Sequence, residues 1–118
     1  MLNQKFTVCI INSTFDGFEY HPVDMGVNYS KIPLFDSYEE ACTFCSKIIR
    51  EINKNRLYFM EKGAVVEIGM PMYNQLTDLS NQIFKQLYNQ HKVAELREKM
   101  KNLFGSYIND SGQIVEVI

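Results

Sequence analysis

Residues 71–104 carry two apolar stripes that one straight helix cannot bury against one core. Met72, Leu76, Leu79, Ile83 and Leu87 recur at three- and four-residue spacing, and Val93, Leu96, Met100, Leu103 and Tyr107 do the same further on. At about 100° per residue, the second stripe points roughly to the opposite side of a continuous helix from the first. Two solutions remain. The chain can turn near "YNQHK" and form an α-hairpin, or one helix of about 50 Å can hand its second stripe to another copy. The connection holds neither Gly nor Pro, and each of its residues tolerates helix. Continuity is locally allowed, and it makes Val93, Leu96, Met100 and Leu103 a self-association surface, in a dimer or higher oligomer.

The rest of the chain supplies a sheet and one further helix. "KFTVCII" at 5–11 is a β-branched run too short for a typical helix and reads as a central strand buried on both faces. Asp16-Gly17 suits a hairpin turn, and "FEYHPV" alternates as a second strand ending near Pro22. "VNYSKIPLF" carries Pro33, which donates no ladder hydrogen bond and therefore suits an edge. Ser37 with Glu40 three residues later is a capping box, and Tyr38, Ala41, Cys42, Cys45, Ile48, Ile49 and Ile52 then form one helical stripe. "NKN" at 53–55 ends that helix, after which "RLYFM" and "AVVEIGM" are expected to pair as a hairpin around "EKG". Pro71 opens the helical segment, Gly105 is expected to stop it, and "QIVEVI" to close the fold as part of a terminal hairpin. The expectation for 1–118 is a single α+β domain, with a mainly antiparallel sheet packed by the helix at 38–52 and followed by the long helical segment.

Candidate chemistry is sparse. Cys42 and Cys45 have the Cys-x-x-Cys spacing of a redox couple or half a zinc site, but they lie five residues and more past the cap, in the middle of an apolar stripe. Buried there, they are core residues. The remaining zinc ligands would be Cys9, His21 and His91, none in a paired spacing. Glu19 and His21 share one strand face, and with Asp24 they could support a metal-dependent hydrolase. No glycine-rich phosphate loop, nucleophile elbow or zinc-protease helix is present. No metal or cofactor is called for, and the reading favours binding over catalysis.

A formal net charge of −2 with 22% charged residues makes DNA an unsuitable target. The opening residues lack a charged head before an apolar run, the longest apolar stretch is interrupted by Glu67, and three cysteines cannot close a disulfide framework. The expected setting is a reducing cytoplasm, away from membranes. Between 71 and 89 an amide-rich face containing Asn81 runs beside Tyr73, Phe84 and Tyr88, groups that are cheaper to desolvate than charges and suited to a protein interface. The leading expectation is therefore a self-associating protein that binds a protein partner through these residues. The alternative is an oligomeric sequestering protein whose pocket holds a nucleotide-like signalling ligand, with Arg56 or Arg97 on its phosphate. Small phage counter-defence proteins include both classes, and the Asn, Lys and Ile usage suits a low-GC bacterium or its phage. The hydrolase built on Glu19, His21 and Asp24 ranks third.

Overall fold

The alternation along "KFTVCII" places Phe6, Val8 and Ile10 on one side of a strand and Thr7, Cys9 and Ile11 on the other, and both sides are covered. A computed structural model describes residues 5–23, 32–58 and 60–118. In it β1 (Lys5–Thr14) and β2 (Gly17–Pro22) form the hairpin expected at Asp16-Gly17. α1 (Tyr38–Asn53), β3 (Lys62–Ile68), α2 (Met70–Lys85), α3 (Gln90–Ser111) and β4 (Ile114–Val117) follow. The four strands form one antiparallel sheet in the order β2-β1-β3-β4. The α+β expectation holds, with β1 and β3 at the centre.

Helices cover both faces of the sheet. Val8 and Val65 meet Ala41 and Cys45 of α1 in one cluster, with Phe6, Ile10, Ile48 and Ile49 around it. Cys9, Ala64, Val66 and Ile68 point the other way and meet Leu76 and Ile83 of α2 and Leu96, Met100, Phe104 and Ile108 of α3. The layers are α1, sheet, and the α2–α3 pair. On the α1 side the packing leaves no room at Gly63, where an added Cβ would sit 2.6 Å from Cys45 Sγ and 2.6 Å from Ile49 Cγ1.

The helical segment resolves as a hairpin. α2 begins with Pro in its first turn and ends at Lys85; after a short turn, the Asn89 side chain caps α3 by accepting from Lys92 N at 3.1 Å. Asn89 is the residue that breaks continuity, since its carbonyl oxygen replaces the intrahelical acceptor that a through-running helix would supply. The consequence for the second stripe is direct. Leu96 and Met100 are buried in the chain's own core, and Val93 and Leu103 are half-buried against it. No second copy is required to cover the residues assigned to self-association.

Three local expectations are corrected. Residues 56–58 and 60 form no strand: β3 pairs with β1 on one side and β4 on the other, so a "RLYFM" strand would find no vacant edge. The segment instead leads from α1 to β3, held where the Asn53 amide donates to Glu61 O at 2.9 Å and accepts from Glu61 N at 2.8 Å. Gly105 does not stop α3, because Phe104 and Ile108 continue the buried row from Met100 and reward about two more turns of helix. The stop is Gly112, at φ 60°, whose N–H reaches Ile108 O at 2.7 Å. β4 then joins β3 rather than a hairpin of its own. Of "VNYSKIPLF", residues 27–31 lie outside the described residues; Phe35 makes an isolated bridge to Phe6, and the Pro33 carbonyl accepts from Thr7 Oγ1 at 2.6 Å.

Candidate interaction surface

β1 outruns its central partner. β3 joins it only as far as the pair Ile11 and Lys62, so Asn12–Thr14 are flanked by β2 alone and carry the hairpin tip beyond the body of the sheet. The α1–β3 connection passes alongside, and apolar side chains from both segments meet solvent here. Phe15 at the tip is fully exposed, Phe18 is 61% exposed, and Leu57, Tyr58 and Met60 are 85%, 77% and 62% exposed. Phe18 and Met60 line the same cleft of about 420 Å³, together with Thr14 and Lys62. A second cleft of about 420 Å³ lies on the other side of Phe18, between β2 and α3.

Polar groups tie this rim together. His21 Nε2 lies 3.2 Å from Glu19 Oε2, and Lys101 of α3 approaches Glu19 Oε1 at 3.7 Å and Glu98 Oε2 at 3.0 Å. Arg56 Nη1 meets Glu61 Oε1 at 3.0 Å. With its amide nitrogen turned to Glu61, Asn12 donates to that carboxylate and accepts from His21 Nε2 at 3.3 Å. The hydrogen bond from Lys101 to Glu98, reinforced by the charge of Glu19, holds the ammonium above its ordinary pKa. The chain of contacts runs from α3 through β2 and β1 to the α1–β3 connection. It sets polar side chains beside the exposed Phe18 and Met60.

The residues singled out from the sequence fall in different places. Phe84 and Tyr88 are 49% and 86% exposed at the end of α2 and the turn after it, beside the exposed Leu87. Tyr73 is half-buried, its hydroxyl donating to Ile32 O at 3.0 Å, so it anchors the chain before α1. Asn81 is half-buried on α2. Arg56 is engaged by Glu61, and Arg97 lies on the exposed side of α3. The sequence reading missed Phe15, Phe18, Leu57, Tyr58 and Met60. Their signal was present, since four of the five exposed side chains stand in turns or connections, where no strand or helix partner covers them.

Cys45 packs as the stripe implied, and Cys42 only in part. Cys9 and Cys45 are fully buried, and burial pushes their pKa values up to about 12 and about 11. Cys42 is half-exposed, its Sγ 3.8 Å from Glu116 Oε2; burial and the nearby Glu39 charge raise its pKa too. These are the opposite of the conditions that make a thiolate nucleophile or ligand. Among the described residues no group of three or more His, Cys, Asp and Glu is placed to hold a metal ion, and Asp24 of the Glu19–His21–Asp24 reading lies outside them. No helix among them is long and apolar enough to cross a membrane. No protein-family model, curated protein or solved structure matches the chain.

Proposed function

We propose that this is a binding protein whose target is another protein, contacted through the apolar end of the sheet. The observation that carries the reading is that Phe18 and Met60, both exposed, line one cleft beside the hairpin tip, with Phe15 exposed in the turn before β2 and Leu57 and Tyr58 exposed in the connection that leads to Met60. Water is a poor solvent for such a group, and contiguous exposed apolar patches with a polar rim mark interaction sites. Aromatic and Met side chains are also the types enriched at the centres of protein interfaces. The rim network supports the same reading, because it supplies the polar border that such a patch carries. Phe84, Leu87 and Tyr88 form a smaller apolar tip on the α2–α3 turn.

The test uses two sets of exposed substitutions, which leave the buried core intact. Phe15→Ser with Leu57→Ser and Met60→Ser should weaken capture of a partner from the native host, and then of the purified partner, by at least about 30-fold, the size of a hot-spot loss of ~2 kcal/mol. Phe84→Ser with Tyr88→Ser should leave it within a few-fold. The reverse ranking would move the contact to the α2–α3 turn. A large rise in melting temperature with a nucleotide, abolished by Arg56→Ala or Arg97→Ala, would replace this reading with the sequestering one.

A further inference from the structure

We propose that the partner seats an arginine side chain in the cleft between β2 and α3; this rests on the protein-partner reading above and names the chemistry of one contact. The cleft holds about 420 Å³ and lies between Phe18 and Tyr20 of β2 and Glu98, Asn102, Ser106 and Asn109 of α3. Its charges are unequal. The carboxylates of Glu19 and Glu98 share one ammonium, that of Lys101, at 3.7 and 3.0 Å, and the neutral imidazole of His21 meets Glu19 from outside the cleft lining at 3.2 Å. Two anions against one cation favour a positive occupant and disfavour a phosphate, which separates this cleft from the nucleotide alternative.

Arginine suits it better than lysine. A guanidinium presents five N–H donors in a planar fork and is weakly hydrated, so it can engage a carboxylate and still satisfy amide and hydroxyl acceptors. Asn102, Ser106 and Asn109 supply those acceptors along one side of α3. The Phe18 ring, 61% exposed, lines the cleft and is an aromatic group there to which a guanidinium would bind by cation–π contact. Gly105 adds a separate observation. It lines the cleft from the middle of α3, and a Cβ placed there would meet nothing within 4 Å. Packing within the chain does not demand glycine at this position, and the missing side chain leaves the helix backbone open to an occupant.

N-acetyl-arginine amide titrated into ¹⁵N-labelled protein tests the assignment, with N-acetyl-citrulline amide as the uncharged control of the same shape. The arginine probe should give saturable shifts at Phe18–Tyr20 and Glu98–Asn109, and citrulline none. Glu98→Gln should weaken the response several-fold. Gly105→Leu should fold with an unreduced melting temperature and abolish it by filling the cleft. An equal response to citrulline, no saturable shift at these positions, or an unchanged response in Gly105→Leu overturns the assignment. If the arginine probe fails while the Phe15, Leu57 and Met60 substitutions still abolish partner binding, only the cleft assignment falls. If those substitutions leave partner binding intact, the interface itself is misplaced.

Discussion

Replacing Gly63 with alanine adds one methyl group at the point where α1 lies closest to the sheet. The new Cβ would sit 2.6 Å from Cys45 Sγ and 2.6 Å from Ile49 Cγ1, and 3.0 Å from Ile49 Cδ1. Each of the first two is well inside van der Waals contact, and both belong to side chains packed in the same layer, so α1 must shift or Ile49 must leave its rotamer. Overpacking of this kind costs about 1–3 kcal/mol. Alanine recovers roughly 0.5–1 kcal/mol over glycine in a strand, which leaves a net loss of ~1–2 kcal/mol. For a domain of this length that is a fall in melting temperature of about 4–8 °C, measurable by calorimetry or circular dichroism. Cys45→Ala in the same molecule removes one of the two clashing atoms, so the two changes should be less harmful together than their separate costs predict, by ~1 kcal/mol. A Gly63→Ala protein as stable as the parent, with no coupling to Cys45, would refute the placement of α1 against β3 and the packing role given to Cys45.

Leu96→Glu with Met100→Glu should unfold the protein rather than split a dimer into folded monomers, because both side chains lie in the intramolecular core; sedimentation and circular dichroism together distinguish the outcomes. Asn89→Ala should cost ~1 kcal/mol through loss of the α3 cap while leaving the apolar end of the sheet unchanged, as read by thermal melting. Cys9 and Cys45 have folded pKa values of about 12 and about 11 against an ordinary 9.0. Between pH 9 and 11 the unfolded chain therefore binds fewer protons, and stability present below pH 9 is lost as pH rises through that window. The slope should flatten in Cys9→Val with Cys45→Ala, and a thiol reagent at neutral pH should label Cys42 well before either buried cysteine.

What the sequence made legible was whatever a local period encodes. The β1–β2 hairpin, the Ser37 cap and the α1 stripe all follow from residues within a few positions of one another, and each stands where its pattern puts it. The α2–α3 choice could also have been read, because Asn89 is a good N-cap residue and the stripe changes side at that point. Treating "NQHK" only as helix-tolerant overlooked that a cap competes with continuation. Gly105 misled for the opposite reason: a glycine's local preference was outweighed by Phe104 and Ile108 on the buried face. The fate of residues 56–58 and 60 was not local at all. "RLYFM" has strand composition, but whether it pairs depends on β3 having a vacant edge, and β1 and β4, far away in sequence, fill both. The same non-locality hid the surface, since Phe18 and Met60 come to line one cleft only once β1 is seated beside β3.

The most direct test of the proposed function is site-specific photocrosslinking in the native host, with a photoreactive phenylalanine analogue placed singly at Phe15, Tyr58, Tyr88 and, as a control on exposed α1, Lys47. The account predicts one discrete protein adduct from Phe15 and the same adduct from Tyr58, with none from Lys47 and little from Tyr88. No adduct at Phe15 and Tyr58, or a discrete adduct from Tyr88 alone, would contradict it.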